Sequence, residues 1–333
     1  MSLTRKSLLG LSALGVAVAA GGFAKPVEAQ DWQPRAPVEL IIMAGTGGGA
    51  DQIARLLQGL IEQKDLSPTP FIPINKPGGS GAEALRYMQD NAGDPHKVLV
   101  TLNSFYTTPI IQEDLGVDVL SFTPIGRMAL DTFVLWVNAD SEIQTIEDYA
   151  AAITESGLDW NMGGTGMGQE DSILTAMIEA EFGTDITYIP FEGGGVVASN
   201  LIGGHIDSSV NNPAEQNEFW RAGESRPIVQ FTEERMEAFA DVPTAAETGH
   251  DISYFMQRSI NGPPEMPEEA QQWYIALFET LFNSEEWQEY CASEGLFCDD
   301  YVSGADLGQF HEDQYARHEA LIEQVGAAAI TGQ

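Results

Sequence analysis

The stretch IIMAGTGGGAD, residues 41–51, runs from an apolar, strand-like segment through a glycine-rich turn into a predicted helix. Gly45, Gly47 and Ala50 fit the dinucleotide-binding pattern G-x-G-x-x-A, which requires a strand before it and a helix after it. The physical basis of the pattern is more general, because glycines allow the tight turn and the first N–H groups of a helix attract any anion. The stretch therefore predicts an anion-binding turn in an α/β fold, for a carboxylate as well as for a phosphate.

A second turn of the same kind, GGTGMGQED at residues 163–171, also stands between a predicted strand and a predicted helix. Ligands of open α/β sheets bind at the carboxyl ends of the strands, so two facing lobes would bring both turns to one cleft. The pairing favours a ligand with an anionic group at each end. Chance similarity between two glycine-rich turns is the alternative.

Strand and helix patterns alternate along the chain in two series. The predicted strands are VELIIMA, FIPINK, KVLVTLN and FTPIGRM in the first series, and FVLWVNA, LDWNMGG, ITYIPFE, IDSSVNN and RPIVQFT in the second. This order indicates parallel sheets with crossover helices. One more strand, ISYFMQRSINGPP, precedes a helical segment that begins at Pro267. We expect residues 30–128 and 250–333 to form one lobe and residues 129–249 the other, with a hinge at the two crossings.

The N-terminus predicts export. Arg5 and Lys6 precede an apolar run at residues 8–20, and the small residues Val27 and Ala29 precede a predicted cleavage site after Ala29. The apolar run is short for a membrane-spanning helix, and no cysteine near the cleavage site offers a lipid anchor. Residues 1–29 therefore read as a signal peptide, and we expect a periplasmic protein.

The composition is strongly acidic, with a formal net charge of −35. This charge argues against nucleic acid and anionic membranes as partners. The acidic residues are scattered along the chain, which is compatible with an ordinary solvated surface or with a saline habitat.

The positions of the cysteines and histidines indicate whether a disulfide or a metal site is expected. Cys291 and Cys298 lie close together in sequence, and an oxidising compartment favours a local disulfide between them over two free thiols. The histidines are dispersed, and the pair His311 and His318 on the C-terminal helix is interpreted as a solvated face. No metal and no cofactor are predicted.

With these residues assembled, the chain resembles the substrate-binding receptors of tripartite tricarboxylate transporters, the Bug-type periplasmic binding proteins. The resemblance covers nearly the whole mature chain and rests on the order of several segments: GTGGGADQIAR, INKPGGSGAEAL, MGGTGMGQED, YIPFEGGGVVASNLIGGHID, DVPTAAETG and INGPPEMPEEA. It implies a two-lobed, type II (Venus flytrap) α/β fold with mostly parallel sheets and a C-terminal helical segment. It also implies a receptor without catalytic activity, expected to be a monomer, that delivers a small di- or tricarboxylate to the membrane subunits of a transporter.

The resemblance also implies which residues bind the ligand. In the first lobe these are Gly45, Thr46, Gly47, Gly48, Gly49, Asp51, Asn103, Ser104 and Tyr106. In the second lobe they are Thr165, Gly166, Met167, Gly168, Asp171, Phe191, Glu192, Asn211 and Asn212. Met167 and Phe191 depart from the family's usual small hydroxyl residue and Tyr, which leaves the identity of the carboxylate open.

Structural roles compete with several of these assignments. Asp51 and Asp171 also suit helix capping, and Tyr106 and Phe191 also suit the core. Glu215 fits a helix start as well as a site.

Three other functions compete with the receptor. An NAD site is disfavoured because export removes the chain from the cofactor pool, and because INKPGG lacks the acidic residue that holds a ribose. The segment GGSGA around Ser80 is similar to a nucleophile elbow, but no triad order supports a hydrolase. A binding protein that serves a signalling partner instead of a transporter is the remaining alternative.

Overall fold

The computed structural model describes residues 32–326 and residue 330. The signal peptide and its cleavage site lie outside these residues and stay predictions. Within the described part of the chain, no helix has both the length and the apolar character needed to cross a bilayer.

Eleven strands and ten α-helices are found among the described residues. The strands are β1 Val38–Ile42, β2 Phe71–Asn75, β3 Lys97–Val100, β4 Phe122–Thr132, β5 Val134–Asn138, β6 Asn161–Thr165, β7 Thr187–Phe191, β8 Ser208–Ser209, β9 Ser225–Gln230, β10 Phe255–Pro264 and β11 Val302–Ser303. The helices are α1 Gly49–Gln63, α2 Ala82–Asp90, α3 Ser104–Ile111, α4 Ile146–Ser156, α5 Glu170–Phe182, α6 Gly194–Ile202, α7 Pro213–Arg221, α8 Glu268–Phe282, α9 Glu285–Glu294 and α10 Gly304–Val325. Every strand predicted from the sequence is present, and β11 is additional.

Helix α1 shows why the opening stretch folds as it does. Strand β1 is almost fully buried between β2 and β3, and the chain then turns through the glycines. Ile53, Leu57 and Ile61 follow at helical spacing and are buried against the first sheet's core. The helix begins at Gly49 with Gly48 as its N-cap, so the glycine-rich turn leads directly into its first turn.

The strands form two sheets, ordered β11-β4-β10-β3-β1-β2 and β7-β6-β8-β5-β9. Three neighbouring strands in each sheet are parallel: β2, β1 and β3 in the first, and β7, β6 and β8 in the second. The other pairings are antiparallel. The sheets are thus mixed where mostly parallel pairing was expected. The reason is that β4 leaves the first sheet and β10 returns to it, so these neighbours run in opposite directions.

The two segments that connect the sheets, one after β4 and one before β10, lie side by side. Thr132 at the end of β4 pairs with Phe255 at the start of β10. Beyond this pair, Phe231 N–H donates to the carbonyl of Phe133 (3.0 Å), and Tyr254 N–H donates to the carbonyl of Phe231 (3.1 Å). The crossing segments are therefore bonded to each other, as a two-stranded connection between the sheets.

The region after α9 braces this connection. Cys291 and Cys298 form a disulfide with a Cα–Cα distance of 6.3 Å. Within the loop that it closes, Phe297 exchanges both backbone hydrogen bonds with Leu130 of β4, each 2.9 Å long. The disulfide loop therefore adds a short pairing to the crossing strand.

His311 and His318 are buried, so their interpretation as a solvated face is wrong. Helix α10 packs against α3 and β4, which turns this face of the helix inward. The hydroxyl of Tyr106 lies 2.6 Å from His311 Nδ1, and that of Tyr254 lies 3.1 Å from His318 Nε2. Burial lowers the pKa of His311 to about 3 and that of His318 to about 4.

These lowered pKa values predict an acid-sensitive contribution to stability. In the unfolded chain His318 takes up a proton near pH 6.5, whereas in the folded protein it stays neutral down to about pH 4. Its contribution is present above pH 6.5 and is lost as the pH falls towards 4. Between pH 7 and pH 5 this loss amounts to about 2 kcal/mol. The difference in free energy of unfolding between wild type and His318→Gln, measured in urea, should shrink by that amount.

The exposed His205 supplies the control. Replacing it by Gln should leave the difference from wild type constant over the same pH range. A His318→Gln difference that does not change with pH would contradict the burial argument.

Candidate ligand-binding site

A cavity of about 280 Å³ lies between the two sheets. All six parallel strands contribute residues at or beyond their carboxyl ends to its wall. The residues that line it are Met43, Ala44, Gly45, Gly48, Gly49, Ala50, Pro77, Gly78, Gly79, Ser80, Leu102, Thr165, Gly166, Gln169, Glu170, Asp171, Phe191, Glu192, Gly193, Gly194, Asn212, Glu215, Met256 and Arg258. This volume lies just below the ~300–1,000 Å³ found for small-molecule sites, so the cavity suits a small solute.

The predicted site residues divide into two equal groups. Those that line the cavity are Gly45, Gly48, Gly49, Thr165, Gly166, Asp171, Phe191, Glu192 and Asn212. Those that do not line it are Thr46, Gly47, Asp51, Asn103, Ser104, Tyr106, Met167, Gly168 and Asn211. Both glycine turns thus reach one cavity, but only part of each turn faces it.

Several of the second group hold the walls in place. Asp51 accepts a hydrogen bond from Gly47 N–H (2.9 Å) and so braces the first turn from behind. Asn103 donates to the carbonyl of Phe255 (2.6 Å), which ties the start of α3 to β10. Tyr106 is fully buried in the core beside His311. These side chains support the site without facing the cavity.

The structure adds residues that the sequence did not single out as ligand contacts. The loop at residues 77–80 follows β2 and lines the cavity beside the first turn. Its sequence contributes to the family resemblance and to the GGSGA segment around Ser80, and its place after a parallel strand is the signal that could have identified it as part of the cavity wall. Glu170, Glu215 and Arg258 also line the wall, and of these the sequence pointed only to Glu215, as a site residue or a helix-start residue.

Loops from the two sheets touch each other around the cavity. Ser80 Oγ donates to the carbonyl of Met167 (2.7 Å), and Ser104 N–H donates to Glu170 Oε1 (2.6 Å). A Cβ atom on Gly45 would lie 2.5 Å from the carbonyl oxygen of Glu192. The two sides are thus in a closed arrangement that needs glycine at this contact.

Ser80 does not have the surroundings of a nucleophile. Its hydroxyl donates to a backbone carbonyl, and none of the five histidines is among the residues that line the cavity. A nucleophilic serine needs a base within hydrogen-bond reach. The described residues around Ser80 therefore give the hydrolase alternative no support.

Arg258 is the basic side chain of the cavity wall, and it is deeply buried. Arg258 Nε donates to Asp131 Oδ2 (2.9 Å), and Nη2 donates to the same oxygen and to Asn212 Oδ1 (3.2 Å). Nη1 is buried and has no hydrogen-bond partner among the described residues. Arg258 thus keeps donor capacity beyond its pair with Asp131.

Carboxylates of the chain itself occupy the N–H groups of the two turns. Gly49 N–H donates to Glu215 Oε1 (3.1 Å), and Thr165 N–H donates to Asp171 Oδ2 (2.7 Å). Burial raises the pKa of Glu215 and Asp171, and for Asp171 the charge of Glu215 raises it further. Both turns were predicted to bind an anion of the ligand, whereas in this structure they are partly filled by internal acids.

The comparison with protein families identifies this architecture. The model described as "Tripartite tricarboxylate transporter family receptor" matches residues 53–327. The chain belongs to this family. A relative from Cupriavidus necator, the UPF0065 protein in the gbd 5' region, is 26% identical over 333 residues, covering 98% of this chain and 99% of the relative.

Solved structures agree with the fold. The periplasmic binding protein BugD has a TM-score of 0.83 at 18% identity, covering 88% of this chain and 99% of its own. Rpa4515 of R. palustris with adipate has 0.81 at 21%, covering 88% and 98%. MatC of Rhodopseudomonas palustris with bound malate has 0.79 at 18%, covering 87% and 99%. The predicted two-lobed, type II periplasmic binding-protein fold of this receptor-family member is thereby confirmed.

The pair of Arg258 and Asp131 gives a stability prediction. Arg258→Met leaves Asp131 buried without its cation, which should lower the free energy of unfolding by about 3–5 kcal/mol. Urea denaturation checks this value. Asp131→Leu combined with Arg258→Met should restore much of the loss, because two apolar groups replace both charges.

Arg55→Met is the matched control, since Arg55 pairs with Asp51 but is itself half exposed. Its loss should cost less than about 1 kcal/mol. Equal effects of the two single variants would show that burial does not set the strength of the Arg258 pair.

Proposed function

We propose that this chain is an extracytoplasmic receptor that captures a small di- or tricarboxylate in the cavity and delivers it to the membrane subunits of a tripartite transporter. The observation that carries the proposal is the convergence of all six parallel strands on one small cavity lined by glycine turns and Arg258. Adipate in Rpa4515 and malate in MatC support a carboxylate as the ligand class. Family membership supports transport, and with it a periplasmic location and a monomeric receptor.

The ligand contacts that we propose follow from the cavity wall. The backbone at Gly45, Gly48, Thr165 and Gly166 would approach the ligand closely, and Arg258 would supply the positive charge. Helix starts at this edge add N–H donors for carboxylate oxygens. Glycine permits this approach because it has no side chain to hold the ligand away.

Capture would use the connection between the sheets as a hinge. We keep the proposed lobes, residues 30–128 with 250–333 and residues 129–249, which would close over the ligand. A ligand favours the closed form only if it makes contacts there that the open form lacks. The interloop contacts at Ser80 and Gly45 exist only when the two sides meet, so closure and ligand binding would be coupled.

The first test is a thermal-shift panel on the mature protein. Malate, adipate, citrate and other organic acids are compared with neutral sugars and amines. A ligand that binds only the folded state stabilises it by mass action, about 2.7 kcal/mol at 100 times its dissociation constant. At least one carboxylate should therefore raise the melting temperature with concentration. Stabilisation by sugars or amines alone would reject the carboxylate receptor.

Gly45→Ala tests the coupling of closure to binding. Its Cβ would collide with the backbone of Glu192 only in the closed arrangement, so the variant should fold normally and stay open. We expect an affinity loss of at least about 10-fold for the carboxylate found in the panel. Small-angle scattering with that carboxylate should show contraction of the wild type but not of the variant.

Gly59→Ala is the control, since a Cβ at this position on α1 meets no atom within 4 Å. It should bind and contract like the wild type. If Gly45→Ala also binds and contracts normally, the closed arrangement is not the ligand-bound form.

A further inference from the structure

Glu215 is the third residue of α7 and forms a capping box with Asn212, and its carboxylate also reaches across the cavity to α1. Its Oε1 accepts a hydrogen bond from Gly49 N–H (3.1 Å), the first residue of α1 on the opposite side of the cavity. Its Oε2 accepts from Asn211 Nδ2 (2.9 Å) and from Asn212 N–H (3.3 Å). The carboxylate thus bonds both sides at once, through three donors.

Three helix starts surround this carboxylate. Gly49 begins α1, Gly194 begins α6, and Asn212 is the N-cap of α7. A Cβ on Gly194 would overlap the Glu215 carboxylate, so the first residue of α6 lies directly against it. Helix N-termini carry partial positive charge and attract anions. With three of them together, this part of the cavity wall strongly favours a negative group.

We propose that Glu215 is a resident carboxylate, which fills the anion-binding position at the start of α1 and directs a solute carboxylate to the rest of the cavity. The sequence placed a ligand carboxylate at this first glycine turn. In the structure the chain's own side chain takes that place, and its three hydrogen bonds are those an external carboxylate would make.

The surrounding charges determine where a solute carboxylate then binds. A second anion beside Glu215 is repelled by it, and Glu170 and Asp171 line the same wall. Arg258 is the basic side chain among the cavity-lining residues and has an unpartnered Nη1. Glu215 therefore leaves the part of the cavity beside Arg258 as the favourable place for a carboxylate group of the solute. This inference rests on the proposed function and adds that the protein itself fills one of the anion-binding positions of the cavity.

The test is chemical rescue of a truncated side chain. Glu215→Ala empties the space between the three helix starts without removing any of their N–H donors. Sodium formate and sodium acetate, each a single small carboxylate, should then enter this space and raise the melting temperature of the variant by about 2–5 °C at ten times their dissociation constant. The response should saturate, and sodium chloride at equal ionic strength should not reproduce it.

Three proteins serve as controls in the same titration. The wild type and Glu215→Gln keep the space filled, so formate and acetate should leave both unchanged. Glu218→Ala removes an exposed acid from the same helix and should also show no response. Glu215→Ser is a second truncation with the same expected rescue, for use if the Ala variant is too unstable to purify.

The outcomes separate this inference from the proposed function. Rescue of the truncated variant alone supports a resident carboxylate, even if the panel finds no solute. Absence of rescue, or equal stabilisation of the wild type, overturns it, whereas a panel hit with the wild type would still stand as support for the receptor.

Discussion

The buried pair of Arg258 and Asp131 holds together the two strands, β4 and β10, through which the chain leaves and re-enters the first sheet, and both sheets depend on this connection. Asp131 lies on the outgoing strand β4, and Arg258 on the returning strand β10. Asn212, which follows β8 of the second sheet, accepts from Arg258 and donates to the carbonyl of Thr132 (2.6 Å). A buried charge pair is costly to dehydrate, so it is tolerated where its hydrogen bonds are well satisfied. Here those bonds connect the crossing strands to the second sheet and fix one end of the cavity.

The cavity shows how a protein rich in acids can still offer an anion site. Asp171 caps its own turn, and Glu215 caps a helix from the opposite side. Each of these carboxylates accepts a hydrogen bond from the backbone N–H of a glycine turn and is kept in place by it. The free energy of the empty site is lowered in this way, because the N–H groups of Gly49 and Thr165 are not left unsatisfied. In the proposed receptor, selectivity would then depend on the donors that remain, such as Arg258 Nη1.

Sequence patterns predicted the local features of this structure better than they predicted which residues lie next to each other in space. The glycine turns, the strand order and the return at β10 follow from periodicity and turn chemistry, which act over a few residues. The roles of Arg258 and Glu215 depend on the antiparallel pairing of β4 with β10 and on the closed arrangement, which no short pattern encodes. His311 and His318, two turns apart in a polar helix, suggested a solvated face, but packing against α3 and β4 decided otherwise.

Charge also limits how such a receptor would find an anionic solute. At a formal net charge of −35, the protein repels a carboxylate at long range. At physiological ionic strength this repulsion is screened beyond about 8 Å, so the solute can reach the cleft but gains no electrostatic steering. Affinity must then come from short-range donors that become effective inside the cavity, where water is excluded and each hydrogen bond is stronger. Closure of the two sides would provide that environment, and the closed arrangement requires glycine at position 45, where a Cβ atom would lie 2.5 Å from the carbonyl oxygen of Glu192.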